Sequence, residues 1–252
     1  MGNARPLLGA FVAALAIASS ADAAPPTPAD RALLAEADLH AAAPAAMRAR
    51  VLVEPLQPGR PGVELELWRR GDEALLRFLD ERNRGKAFLQ LRDASWFLAR
   101  KARPVRLAPG HRFAAGVSLQ EILGLAYSRD YRIEDVGRAG AGGRLVSFDL
   151  RAAAGTAGVV YPRVTYVVDA TTRRPVRVEL RLASGKLARM LELVSWSPGR
   201  RLSPAELLVK DLVGGQPAVR VRFRELEERE PPAHLFALSP EGEKARAALG
   251  ER

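Results

Sequence analysis

The sequence predicts a single, mainly β domain of antiparallel strands, with helices near its start and middle. Three observations carry that expectation. Short runs of alternating apolar and polar residues recur at close spacing, about ten of them, between turns rich in Gly, Pro and Asp. Those runs alternate rather than staying apolar throughout, which favours antiparallel pairing with one dry face over a parallel α/β sheet. The longest gap between them carries its own helix-start signal, Ser118-Leu-Gln-Glu121. A chain of 252 residues with 48% hydrophobic content is long enough and apolar enough to bury a core. No internal repeat or shift in composition divides it.

Taken in order, Met1–Ala23 reads as a secretory signal. Arg5 supplies a positive start, Leu7–Ala18 an apolar run too short to span a bilayer, and Ala21-Asp-Ala23 an A-x-A cleavage site. Residues 24–240 are then the folded domain and residues 241–252 a charged tail, helical and frayed. After a Pro-rich leader, Asp30 is placed to cap a helix running to about Ala42. Pro44 interrupts it, and Ala45–Leu52 is expected to form a second helical turn leading into strand. Val63–Trp68 and Ala74–Leu79 make a hairpin around Arg70-Gly71-Asp72. Leu65 and Leu67 lie on one face of its first strand, Leu76 and Phe78 on one face of its second. Tyr131–Val136 and Arg144–Leu150 pair around the glycine-rich Gly137–Gly143. Val159–Val168, Val176–Leu182 and Leu187–Ser195 form a meander, and Ala205–Leu212 with Ala218–Leu226 a last hairpin.

The centre of the chain is the most specific. Gly85–Arg92 alternates with Ala87, Leu89 and Leu91 on one side, and Ser95–Ala99 follows with Trp96 and Leu98 on one face. A basic loop then leads to Ser118, three residues before Glu121, the capping-box spacing, with Leu119, Ile122, Leu123 and Ala126 forming an apolar helical face. The run GKAFLQLRDASWFL, followed by RKARPVRLAPGHRFAAGVSLQEILGLAYSRDY, resembles the outer-membrane lipoprotein-sorting protein family, the LolA-like periplasmic carriers. The matches are Gly85-Lys86, Trp96, Arg103-Pro104, Gly116, Ser118 and Asp130-Tyr131, within a looser likeness from about Val51 to Ser239. This resemblance implies a half-open antiparallel β-barrel of about ten strands whose concave, apolar side holds lipid under a helical lid. It also implies an inner-membrane exporter or an outer-membrane acceptor as partner.

Composition narrows the chemistry. The chain has no cysteine, so there is no disulfide, no thiolate nucleophile and no site for a lipid anchor. With the signal removed, the sequence predicts an exported, soluble, periplasmic protein that does not span the membrane. The net charge is +10, carried mostly by arginines at alternate strand positions such as Arg177 and Arg181, or Arg220, Arg222 and Arg224. These fit a solvated outer face, or attraction to anionic head groups or to an acidic partner. Nucleic acid is excluded as a partner because aromatic and basic residues form no stacking platform.

No catalytic motif survives inspection. Gly137–Gly143 precedes a strand, so no helix N-terminus faces a phosphate there. Ser184-Gly185-Lys186 lacks the flanking residues of a P-loop. Gly116-Val-Ser118 lacks the last glycine of a nucleophile elbow. His40, His111 and His234 have no partner at metal-ligand spacing. Asp130 at a helix-to-strand junction is expected to bond backbone N–H groups. Neither an enzyme nor a cofactor is expected, which leaves binding. A half-closed sheet has a concave apolar face too wide for its own side chains to fill, and an acyl chain can occupy the remainder. The lining candidates are Leu65, Leu67, Leu76, Phe78, Leu89, Leu91, Trp96, Leu98, Val178 and Leu180; for each, ordinary core packing is an equal alternative. Two roles follow: a carrier moving lipoprotein acyl chains or free lipids toward the outer membrane, or a non-transporting envelope module that senses lipid or docks on an export complex.

Overall fold

Hairpin follows hairpin along this chain, because strands of alternating polarity are separated by connections too short for anything else. The computed structural model describes residues 25–41, 44–92, 94–124, 126–156, 158–197, 203–239, 243, 244 and 246. The expected signal, Met1–Ala23, lies outside them, as does most of the tail from Glu241. The first half comprises α1 (Pro28–Ala41), β1 (Ala46–Pro55), β2 (Val63–Arg70), β3 (Glu73–Phe78), β4 (Ala87–Leu91), β5 (Ala94–Leu98) and β6 (Val105–Leu107). Then come α2 (Leu119–Leu123), α3 (Tyr127–Asp130), β7 (Tyr131–Ala139), β8 (Leu145–Ala152), β9 (Arg163–Asp169) and β10 (Arg174–Arg181). β11 (Leu187–Ser197), β12 (Ser203–Asp211) and β13 (Val219–Glu227) complete the sheet.

All 13 strands belong to one sheet, in the order β6-β5-β4-β3-β2-β1-β13-β12-β11-β10-β9-β8-β7. Among the described residues every pairing is antiparallel, and the only neighbours not consecutive in sequence are β1 and β13. The free edges, β6 and β7, are therefore joined directly by residues 108–130, which must cross from one edge of the sheet to the other. That crossing segment carries α2 and α3. Inner-face residues from strands far apart in the sheet, such as Phe88 on β4 and Val146 on β8, share one apolar cluster with α1, α2 and α3. A flat sheet could not bring them together. The sheet is curled, unclosed, and capped by helices on its inner face.

The strand count exceeds the expected number of about ten, and two strands lie outside the runs named from the sequence, each for a physical reason. Ala45–Leu52, expected to begin as helix, is strand: Met47, Ala49, Val51 and Val53 are buried at period two while Arg48 and Arg50 pair outward with Glu66 and Glu64. Alanine and arginine favour helix locally, but β2 and β13 on either side supply the ladder that decides. The other addition, β6, is only three residues long and mostly exposed, too short to show periodicity.

α1 is capped differently from expectation. Thr27 is the capping residue: its hydroxyl accepts the Asp30 N–H at 3.2 Å, while Asp30 Oδ2 accepts the Thr27 N–H at 2.9 Å. This is a reciprocal box with Asp30 in the third helical position. Asp30 Oδ1 also pairs with Arg138 on β7 at 2.7 Å, so the same carboxylate starts the helix and ties it to the sheet.

The outer face carries charge ladders. Glu66 bridges Arg48 and Arg77, at 2.8 and 2.7 Å, Arg220 meets Glu206 at 2.9 Å, and Arg222 meets Glu54. Arg177 and Arg181 share Glu179. Of the alternating arginines noted in the sequence, Arg220 and Arg222 are thus half of a cross-strand ion pair, while Arg177 and Arg181 pair within their own strand. At one end of this face, Leu235 and Phe236 of the turn Ala233–Phe236 cover an apolar patch of Trp68, Leu75, Ala87, Leu89 and Leu98.

Candidate functional site

The segment joining β6 to β7 is held down by directed contacts. Ser118 caps α2, its hydroxyl accepting the Glu121 N–H at 3.3 Å while Glu121 Oε2 accepts the Ser118 N–H at 2.8 Å. The same Glu121 then receives Arg189 of β11 in a two-pronged contact, at 2.7 and 2.9 Å. Arg189 also donates to the Gly116 carbonyl at 2.9 Å and meets Asp211 at 3.1 Å, and Asp211 in turn binds Arg112 at 2.8 Å. The Arg189 and Glu121 side chains are only 2% and 3% exposed. Four alternating charges therefore pin residues 112–121 to the rims of β11 and β12. Burial raises the Asp211 carboxyl, but the Gly214 and Val213 N–H groups and the two guanidiniums outweigh it and leave its pKa lowered.

A second fastening joins α1 to α3. Asp38 Oδ2 accepts the Ser128 N–H at 2.5 Å. Tyr166 acts on the same carboxylate, yet neither its hydroxyl nor Asp38 Oδ1 completes a hydrogen bond of good geometry. Desolvation prevails over these donors, with the nearby Asp130 charge adding to it, and the Asp38 pKa rises to about 6. Tyr127, Tyr131 and Tyr166 stack beside it, with ring centroids 5.5 and 4.8 Å from that of Tyr127.

Two spaces adjoin this cover. Beneath α2 lies an apolar void of about 60 Å³, lined by residues including Ile122, Tyr166, Val178, Leu180, Leu191 and Phe223. A void of roughly 150 Å³ is what admits a benzene ring, so no acyl chain fits here with the cover closed. The expected vacant hollow is thus corrected: α1, α2, α3 and the tyrosines fill it. The larger space is a cleft of about 540 Å³ at the mouth, between the β2–β6 side and the residues around β7, and it is polar. Gln120, Gly124 and Tyr161 line both spaces, so the cleft opens against the wall of the apolar void.

Solved structures share this architecture. A LolA superfamily protein from Nitrosomonas europaea matches with a TM-score of 0.71 at 16% identity, over 82% of this chain and 96% of that one. A DUF1329 family protein from Desulfovibrio piger matches at 0.68 and 14%, over 83% and 96%. A domain assigned as an outer membrane lipoprotein-sorting protein, from Vibrio parahaemolyticus, matches at 0.63 and 13%, over 82% and 95%. Curated proteins give no match. A family model described as "Uncharacterized protein" matches residues 70–238, about two thirds of the chain. The chain belongs to this family, and its fold is LolA-like. The likeness read from Gly85–Tyr131 holds at the level of the fold.

Within the LolA-like sheet, the ten lining candidates divide between the faces. Leu65, Leu67, Leu76, Phe78, Val178 and Leu180 lie in or against the inner cluster, and Val178 and Leu180 border the apolar void. Leu89, Leu91, Trp96 and Leu98 belong to the outer face instead, in or against the patch under Leu235 and Phe236. Register explains the correction. Leu76 pairs with Phe88, and Leu75 with Leu89, so the inner residues of β4 are Phe88 and Gln90. Phe97, paired with Phe88, is the inner residue of β5. Sequence alternation had grouped each strand correctly but not fixed its phase relative to the strand before.

The residues missed are chiefly aromatic and charged. Phe88 packs against Phe78, Phe97 and Phe113, with ring centroids 5.7, 5.4 and 4.5 Å apart. Only the capping box hinted at Glu121, and nothing local marked Arg189 or Asp38. Asp130, expected to bind backbone, takes the Arg129 guanidinium at 2.8 and 3.0 Å. Among the described residues no helix is long and apolar enough to cross a membrane, and no cluster of ligating side chains could hold a metal.

Proposed function

We propose that this LolA-like chain is a periplasmic lipid carrier: it takes acyl chains of a lipoprotein or a free lipid against its inner face and moves them toward the outer membrane. The supporting observation is that this face is continuous, apolar and covered by short helices fastened through charges instead of by a second sheet. Cargo enters by lifting residues 112–130, since the closed void is too small. Each methylene taken from water onto the inner face contributes about 0.8 kcal/mol, so about fifteen contribute on the order of 10 kcal/mol against the cost of lifting the cover. The pattern of Met1–Ala23 supports export, and the lack of cysteine supports a protein released without a lipid anchor. The protein works by binding, with neither catalysis nor cofactor.

Native mass spectrometry of protein purified from an envelope extract tests this. Bound species with the mass of acylated molecules are expected. Protein that emerges clean and also fails to take up a fluorescent fatty acid overturns the proposal. A stable crosslinked protein partner with no lipid passed to acceptor vesicles would identify the non-transporting module instead.

A further inference from the structure

Two turns at one margin of the sheet carry unpaired positive charge. β4 pairs with β5 from Ala87↔Leu98 onward, so residues 79–86, joining β3 to β4, lie beside residues 99–104, joining β5 to β6. Together they hold Arg82, Arg84, Lys86, Arg100, Lys101 and Arg103 against only two carboxylates, Asp80 and Glu81. Both carboxylates are engaged within the first turn. Asp80 accepts the Asn83 N–H and its side-chain amide, each at 3.0 Å, and Glu81 meets Arg84 at 3.1 Å. Arg82, Arg100, Lys101 and Arg103 are exposed, and none has an ion-pair partner among the described residues. Elsewhere Arg48, Arg50, Arg77, Arg220 and Arg222 each meet a glutamate, so the uncompensated charge is concentrated in these turns.

The two turns form one fixed platform. Lys86 Nζ donates to the Asn83 side-chain oxygen at 3.0 Å, and the Ala102 N–H to the Ala99 carbonyl at 3.1 Å. Gly85 has a φ of +82°, and a Cβ there would stand 3.2 Å from Arg100 Cβ, so the glycine lets the second turn close on the first. Neither the apolar void nor the polar cleft includes any of the six cations. They project from turn tips instead of lining a pocket for one small anion, and such tips suit a broad surface of opposite sign. An anionic bilayer is such a surface, giving about a fivefold gain in binding for each Lys or Arg brought close to it. Beyond Arg103 the chain runs through β6 directly into residues 108–130, the cover of the inner face. A bilayer against these turns would lie at the edge from which that cover departs.

We propose that the paired turns are a docking surface for an anionic phospholipid bilayer, with Arg82, Arg100, Lys101 and Arg103 against its head groups. An acidic protein segment would match the same charge, but an extended one gains its affinity by pairing with a sheet edge, and the edge beside these turns, β6, is only three residues long. The inference goes beyond the carrier reading and does not depend on what the inner face holds.

Co-sedimentation of the purified protein with vesicles tests this, comparing phosphatidylcholine alone with phosphatidylcholine containing phosphatidylglycerol. Binding is expected to the anionic vesicles only, and salt should weaken it. Arg100→Gln/Lys101→Gln/Arg103→Gln should reduce it by on the order of 100-fold. The thermal midpoint should not change, because all three side chains are exposed. Arg31→Gln/Arg132→Gln/Arg163→Gln removes the same charge from exposed positions on α1, β7 and β9, and should bind nearly as the wild type does. A loss no larger in the first variant than in the second overturns the docking surface. Equal binding to neutral and anionic vesicles, or binding to neither, does the same. A polyglutamate peptide that binds as tightly as the anionic vesicles, and is lost in the first variant, reassigns the turns to an acidic protein partner and overturns the bilayer assignment. Docking without uptake of a fluorescent fatty acid would count against the carrier reading alone, and uptake without docking against this inference alone.

Discussion

The two faces of this sheet are covered in opposite ways. On the outer face, Leu235 and Phe236 sit on Trp68, Leu75 and Leu89 through apolar contact, with Arg70 over the Phe236 ring at 4.9 Å. Arg246 secures that turn by donating to the Leu235 and Ala237 carbonyls at 3.0 and 2.6 Å. On the inner face, the cover is fastened by Glu121, Arg189, Asp211 and Arg112, and by Asp38 under α3. Lifting the outer cover exposes hydrocarbon to water with nothing returned. Lifting the inner one rehydrates buried charges, which recovers part of their desolvation cost, and cargo can re-cover the apolar face. On the carrier reading proposed above, the inner cover is the one that cargo displaces.

The largest effect expected from breaking this contrast is Arg189→Met. It leaves Glu121 and Asp211 buried without their shared cation, and losing one member of such a network costs about 4 kcal/mol. Urea unfolding measures the loss, and amide exchange should rise first in residues 112–124. On the outer face, Leu235→Ala removes a side chain only 1% exposed and costs about 3 kcal/mol. That variant should leave lipid uptake unchanged at temperatures where it stays folded, whereas Arg189→Met should speed uptake. Equal uptake rates in the two variants would show that the covers are equivalent and refute the contrast.

Acidity sharpens the same comparison. With the Asp38 pKa at about 6 against an ordinary 3.8, the folded protein holds this proton more tightly than the unfolded chain does. The carboxyl therefore costs nothing below about pH 4, and stability falls as pH rises from about 4 to 6, by about 3 kcal/mol, staying lower above that. Asp38→Asn, which resembles the protonated acid, should flatten this slope and be the more stable protein at pH 7. Glu66 on the outer face behaves oppositely. Burial raises its pKa, but hydrogen bonds from Arg77 and Arg48, with the Trp68 indole nearby, outweigh this and leave it below the ordinary 4.5. Its contribution is therefore present at neutral pH and is lost only on acidification through that lowered value. Unfolding midpoints of the wild type and Asp38→Asn between pH 4 and pH 7 check the prediction.

What could be read from the sequence follows the range of each interaction. Period-two alternation in Val63–Trp68, the glycine-rich hairpin before β8 and the box at Ser118 are local and appear where expected. That of Val176–Leu182 holds from Arg177 on, a register break leaving Val176 exposed. Ala45–Leu52 misled because its strand state is imposed by β2 and β13, one of them more than 160 residues away in sequence. Leu89 and Trp96 were assigned to the wrong face because strand phase depends on register across hairpins. The fastening of the cover was hidden for the same reason: Arg189 lies 68 residues from Glu121, and Asp38 lies 90 from Ser128. The polar cleft is assembled from five stretches of chain, none of which resembles a site by itself.

The smallest effect is the most diagnostic of how the inner cover is built. Ser118→Ala removes the hydroxyl that accepts the Glu121 N–H, and loss of such a cap costs about 1 kcal/mol. Glu121 serves both the cap and Arg189, its Oε2 accepting from the Ser118 N–H and from the guanidinium alike. With Arg189 already replaced, Glu121 is free to move and the cap has less to hold. The Ser118→Ala and Arg189→Met losses should therefore sum to more than the double variant shows, by about 0.5 kcal/mol or more in a double-mutant cycle. Strict additivity would mean that cap and clamp act separately, and that α2 is held at two independent points instead of through one shared carboxylate.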